Sequence, residues 1–297
     1  MIFMLDFALI LDNSILYCSN PNANPKFDII CLINQLIKSL ADNQPWNIHK
    51  VILQPTATLT SEKIIIRKFW SQNGSTEMLI CIIGEFAKGA DFGYDVIDGI
   101  YRNLNEQFCI DTINQNLKDK EIQIKQLCES LSASLLGNGY EEILNSSAKE
   151  EEYIGVSKII YSGISTNGLP LIAQLHDGQK IFQLGSDTKK MMITNILSGQ
   201  LATIAMNAYI HAEVYLNSIE IKISTEENRF LFFYFTQFGY QNSYTLECLC
   251  TGTPSGVWNK FQTIIPQLIS QNPFQKLYDG DLKGFIAAKS LFKQYLI

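Results

Sequence analysis

The run LDFALILDNSILYCSNPNANPKFDIICLINQLIKSL, Leu5–Leu40, decides how the rest of the chain is read. Leu5–Leu11 and Ile15–Cys18 are apolar stretches split by Asp12-Asn13-Ser14. Asp, Asn and Ser at so tight a break favour a turn, so the two stretches read as a β-hairpin. Ser19–Pro25 follows as a loop of Ser, Asn and Pro. Phe27, Ile30, Ile33, Leu36, Ile37 and Leu40 then recur at helical spacing, until Ala41–Pro45 stops the helix with Asp, Asn and Pro. The opening motif is therefore hairpin, then helix.

Working outward, three strand-like runs come next: Ile48–Leu53, Lys63–Trp70 and Glu77–Phe86, with the turn pair Asn73-Gly74 between the last two. A second helix carries Ile97, Ile100, Tyr101, Leu104 and Phe108 on one face, and a third, near Lys118–Leu136, carries Leu127, Leu131 and Leu135. Gly137–Glu152 breaks the pattern with Gly-Asn-Gly, Ser-Ser and a Lys-Glu-Glu-Glu run, and reads as a linker. The order then restarts. Gly155–Ile164 and Leu169–Leu175 flank Thr166-Asn167-Gly168 as a hairpin, and a long helix from Asp187 presents Ile193, Leu197, Leu201, Ile204 and Ala208. Strands Ser218–Ser224, Phe230–Phe238 and Tyr244–Cys250 follow. A helix near Ser255 has Trp258, Phe261, Ile265 and Leu268 as its stripe, and a last one, near Asp281–Leu296, carries Leu282, Phe285, Ala288, Phe292 and Leu296.

Spacing supports a duplication. Phe27 to Tyr94, between the first two helices, is 67 positions, and Asp187 to Ser255 is 68. The steps to the next helix are 24 and 26 positions, Tyr94 to Lys118 and Ser255 to Asp281. The expected fold class is α+β: two copies of a five-stranded, mainly antiparallel sheet flanked by helices, a profilin-like sandwich. The expected domains are residues 1–136 and 153–297, joined by the linker 137–152. The aromatic run Phe230–Phe238 reads as the central strand of the second sheet, buried on both faces.

Composition narrows the class of function. The 297 residues are 46% hydrophobic and 18% charged, a globular balance, with a formal net charge of −6. That acidity argues against a nucleic-acid binder, and no apolar run is long enough to span a membrane. The N-terminus carries Asp6, no basic region and no small-residue cleavage site, so a secretory signal is not expected and the cytosol is. Seven cysteines lie mostly in apolar runs with no C-x-x-C pair, as reduced, buried thiols do. Cys248 and Cys250 would share a strand face, which keeps a metal pair conceivable, but no histidine stands near them in sequence.

Motifs that carry chemistry are incomplete. His49, His176 and His211 form no spaced cluster. Gly84 and Gly89 have the spacing of half a phosphate loop, without the Lys-Ser/Thr that must follow. Gly163–Gly168 approaches a nucleophile elbow but places its second glycine too late. The acidic pairs Glu141-Glu142, Glu150–Glu152 and Glu226-Glu227 read as solvated loop charge, and Asp91, Asp95 and Asp98 as favourable charge at a helix start. No cofactor or metal is expected, and no catalytic residue.

The order hairpin, helix, three strands, two helices resembles the longin domain of the longin/roadblock superfamily, twice over nearly the whole chain. The resemblance rests on Leu5–Cys18 with Phe27–Leu40, and on Gly155–Leu175 with Asp187–His211. The roadblock fold begins with a helix and fits less well. The resemblance implies a non-enzymatic scaffold that binds a small GTPase or another longin- or roadblock-type protein in membrane traffic or GTPase regulation. It leaves peripheral membrane association open, and a homodimer or an intramolecular pseudo-dimer of the two copies. The first helix and hairpin edge of each copy are the expected docking surfaces, through Phe27, Ile30, Ile33 and Leu36 and through Met191, Met192 and Ile196. A PAS- or GAF-like sensor of a small ligand also mixes a five-stranded sheet with helices, and is the alternative.

Overall fold

The computed structural model describes residues 5–41, 44–58, 60–71, 74, 76–84, 91–108, 117–136, 157–178, 181–224, 229–252 and 254–296. The expected linker 137–152, the Gly84–Gly89 loop beyond Gly84, Cys109, Asn73 and the three acidic pairs lie outside them.

The chain is α+β. Its described residues cluster into two units, Met1–Asn34 with Asn47–Glu152, and Gln35–Trp46 with Tyr153–Ile297. In the first, β1 (Asp6–Leu11) and β2 (Ser14–Cys18) form the hairpin, followed by α1 (Asn24–Ala41), whose last residues fall in the second unit. β3 (Asn47–Pro55), β4 (Glu62–Trp70) and β5 (Glu77–Gly84) come next, then α2 (Asp91–Phe108) and α3 (Leu117–Leu131), which ends in a π-helical turn, Ser132–Leu136. The second unit has β6 (Lys158–Thr166), β7 (Leu169–Leu175), α4 (Asp187–Ala212), β8 (Val214–Ser224), β9 (Arg229–Phe238), β10 (Tyr244–Thr251) and α5 (Pro254–Ile269). It closes with two short helices, α6 (Lys283–Ile286) and α7 (Ala288–Tyr295).

Both hairpins turn as their residues require. Asp12 and Asn13 have φ of 46° and 65°, and Asn167 and Gly168 have 46° and 77°. Two successive left-handed residues make the turn whose twist matches that of paired strands, and Asn, Asp and Gly adopt it at least cost. α4 starts at Ser186, whose hydroxyl accepts from the Lys189 N–H, and stops at Glu213, left-handed at φ 53°.

The expectation of two separate five-stranded sheets is corrected. The strands form one ten-stranded sheet in the order β2-β1-β5-β4-β3-β8-β9-β10-β6-β7. Alternation along a strand records which face a side chain takes; it holds no record of whether an edge is open or paired. Within each unit the pairings are antiparallel. β9 is an interior strand, flanked by β8 and β10, and most of its side chains are buried.

Each unit has its own apolar core. In the first, Phe7, Leu9, Ile65, Ile80 and Ile82 meet Ile97, Ile100 and Leu104 of α2 and Ile124, Cys128 and Leu131 of α3. In the second, Phe232, Leu246, Cys248 and Cys250 meet Val257, Phe261, Ile264 and Leu268 of α5 and Phe292 of α7. Two buried stripes are therefore rotated from the expected ones. On α5, Val257 and Ile264 point inward while Trp258 is half exposed and Ile265 flanks the core; on α3, Ile124 and Cys128 hold the centre and Leu127 flanks it. An amphipathic face about 100° wide leaves its centre to the packing partner. The last helix also starts later than expected, because the Asp281 carboxylate accepts from the Lys283 N–H instead of joining the helix.

Candidate functional site

The expected docking residues separate into two kinds. Phe27, Ile30, Ile33 and Leu36 on α1 are completely buried within the chain. Met191 and Met192, in the first turns of α4, are 62% and 50% exposed, and Ile196 is half-buried. α4 turns Ile193, Leu197, Leu201, Ile204 and Ala208 inward, so the two methionines stand on its outer side. They form an apolar, conformationally adaptable surface at the start of the helix.

Three polar arrangements went unpredicted from sequence. The first lies at the β1–β2 turn. Glu77, 2% exposed, receives the Asn34 side-chain amide, and its carboxylate lies 3.1 Å from the Lys68 ammonium, itself buried. Asn34 also donates to Asn13 at 2.7 Å, while the Asp12 carboxylate accepts from the Glu77 N–H at 2.9 Å and the Asp12 N–H donates to the Glu77 carbonyl. The network ties hairpin, α1 and the head of β5 together. A buried ion pair is kept only with such hydrogen bonds around it.

The second lies on the face of the second sheet that α5 and α7 leave, the face α4 crosses. Glu247 pairs with Gly163 across β10 and β6, and accepts a hydrogen bond from the Ser165 hydroxyl. Burial pushes its carboxyl up to about 8, so it is protonated and neutral at pH 7. The Tyr161 hydroxyl reaches over Gly163, and a methyl group on Gly163 would collide with it. Gly163→Ala is therefore expected to destabilise the chain by about 1–3 kcal/mol through overpacking, read as a lower urea midpoint; an unchanged midpoint would show that Tyr161 moves aside freely.

The third joins Ser162, fully buried on β6, to His176 just beyond β7, with 2.6 Å between Oγ and Nε2. Burial, with Lys190 and Lys293 adding to it, lowers the imidazole to about 4, so it is neutral at pH 7. His176 lines an open cavity of about 440 Å³ beside the start of α4, with Asp177, Ser186, Asp187 and Lys190. The Ser162 hydroxyl itself is fully buried and does not reach the cavity surface. His49 stacks on Tyr94, whose hydroxyl donates to the His49 carbonyl at 2.9 Å, and His211 is exposed in the last turn of α4.

Among the described residues six cysteines are free thiols, and no group of three or more His, Cys, Asp or Glu side chains is placed to hold a metal ion. Cys248 and Cys250 share one buried face against α5, and burial raises both thiols. No helix among these residues is long and apolar enough to cross a membrane. Sequence signals for the missed groups existed: Glu247 is a lone acid inside Leu246–Leu249, and Glu77 heads the apolar run Met78–Ile83. Compared with known proteins, the chain matches no family model and no curated protein.

Proposed function

We propose that the chain is a tandem longin-like interaction protein of the cytosol that binds a small GTPase, or another longin- or roadblock-type protein, in membrane traffic or GTPase regulation. The observation that carries this reading is a repeated topology. Position by position, β7, β6, β10, β9 and β8 of the second unit follow the spatial order of β2, β1, β5, β4 and β3 in the first. In each case one long helix, α1 or α4, links the hairpin to the next strand in sequence, β3 or β8. This is the element order on which the longin resemblance rests.

Such a protein works by offering surfaces. Among the described strands β2 and β7 stand at the ends of the order, and an edge strand is where an added strand can pair. Met191 and Met192 supply adaptable apolar contact at the start of α4. The test is retention of purified small GTPases, loaded with GDP or a non-hydrolysable GTP analogue, on the immobilised chain, followed by calorimetry. Binding that depends on the nucleotide is expected. If no GTPase and no purified longin or roadblock protein is retained, the reading fails. Met191→Glu with Met192→Glu should weaken the retained complex at least tenfold and leave the melting temperature unchanged, since both side chains are exposed.

A further inference from the structure

A cavity of about 230 Å³ opens in the second unit, beside the second half of α4. Its floor is one row of side chains across three strands: Ser165 on β6 lies opposite Thr245 on β10, which lies opposite Gln237 on β9. Its apolar wall is Ala202, Ala205 and Met206 of α4. At the mouth stand Ile210 and Leu277, both more than half exposed, and Tyr209, whose ring stacks on Tyr215 at 5.3 Å.

Three properties set this cavity apart from an ordinary surface dent. Among the described residues, its lining carries no charged side chain. The acid directly behind the floor, Glu247, is bound by the Ser165 hydroxyl and holds its proton, so the floor presents neutral donors and acceptors only. The rim is built from Asn167, Gln241 and Asn242, all left-handed at φ 46°, 52° and 56°. Asn167 belongs to the hairpin turn between β6 and β7, and Gln241 and Asn242 to the turn between β9 and β10, so turn backbone from both hairpins frames the opening. Gly168 beside them has no side chain, and a Cβ there would come within 2.6 Å of the Met206 sulfur, so the turn closes directly on the cavity wall.

We propose that this cavity is a binding site for an uncharged amide that carries a branched apolar group. The amide pairs with Gln237 and Thr245 on the floor, and the apolar group lies against Ala205, Met206 and Ile210. A carboxylate or an ammonium has no counter-charge there and must shed its water without return. The volume suits a ligand the size of one amino-acid residue. The same chemistry has two sources, a small free amide or one residue of a neutral peptide segment. The site does not depend on the GTPase reading, because none of these groups lies at Met191 or Met192.

The experiment is titration of the full chain, followed by NMR, with N-acetyl-leucinamide, N-acetyl-leucine and a capped Ala-Leu-Ala amide. N-acetyl-leucinamide should bind with a Kd on the order of 1 mM, as small neutral ligands of this size do. N-acetyl-leucine, which carries a carboxylate, should bind at least tenfold more weakly. A tighter Kd for the capped tripeptide would assign the site to peptide, and an equal one to the free amide; either upholds it. Ala205→Trp fills the cavity and should abolish binding, while Gln237→Leu should weaken the amide about tenfold, both with the thermal transition retained. No shift from N-acetyl-leucinamide, equal binding of the carboxylate, or undiminished binding by a folded Ala205→Trp variant would overturn the proposal. These readouts are separate from GTPase retention, so the failure of one reading is not mistaken for failure of the other.

Discussion

Glu247→Gln should make the chain more stable as pH rises, by a margin that opens from near zero below pH 4.5 to about 5 kcal/mol by pH 8. The folded carboxyl titrates at about 8 because burial penalises its charged form, whereas the unfolded one titrates near 4.5. Between those values the folded chain holds a proton that the unfolded chain has released. Stability from this group is therefore fully present below pH 4.5 and declines as pH climbs towards 8. A gap of about 3.5 pH units at 1.36 kcal/mol each gives the margin. Glutamine keeps an oxygen for the Ser165 hydroxyl and has nothing to titrate. Urea unfolding at pH 4.5, 6 and 8 reads the effect, and parallel curves for the two proteins would refute it. His176 works in the opposite sense in both chains: its imidazole is lowered to about 4, so it costs stability as pH falls from about 6.5 towards 4. The comparison between variants cancels that contribution.

Lys68→Met should cost about 3–5 kcal/mol at neutral pH, because it removes the ammonium that faces the buried Glu77 carboxylate and leaves the Asn34 amide beside that charge. The loss is electrostatic, so a further result follows. Lys68→Met combined with Glu77→Gln should recover most of it, since the remaining group is neutral and still hydrogen-bonded. Chemical denaturation of the two single variants and the double variant makes a cycle that isolates the pair. Should the double variant be as unstable as Lys68→Met alone, the loss comes from elsewhere than the Glu77 pair, such as the ammonium's contact with the Trp70 ring 5.4 Å away.

The two positions teach how far a sequence can be read. β10 is legible as a strand from its apolar residues, and alternation puts Glu247 and Cys248 on opposite faces. Nothing local says that both faces are covered, and only that fact turns the acid neutral. Likewise Lys68 and Glu77 lie nine positions apart on the paired strands β4 and β5, but Asn34 comes from α1, far off in sequence, and only the fold brings the three together. α1 shows the same limit from the other side. Phe27, Ile30, Ile33 and Leu36 are legible as an apolar stripe, but a stripe that seeks a partner and a stripe already buried have one pattern. The methionines of α4 lie next to its buried stripe, and only the turn of the helix separates their exposure from the burial of Ile193.

Local chemistry, by itself, determined the hairpins through Asp12-Asn13 and Asn167-Gly168, the identity and order of strands and helices, and their repetition along the chain. These follow from φ preferences and from periods of 2 and 3.6 residues, which are written into neighbouring positions. The tertiary structure alone decided that ten strands share one sheet, which helix face is turned inward on α3 and α5, and where polar groups and a cavity come together. Those outcomes depend on backbone hydrogen bonds and on contacts between distant segments, and neither leaves a mark at the spacing of a single strand or helix.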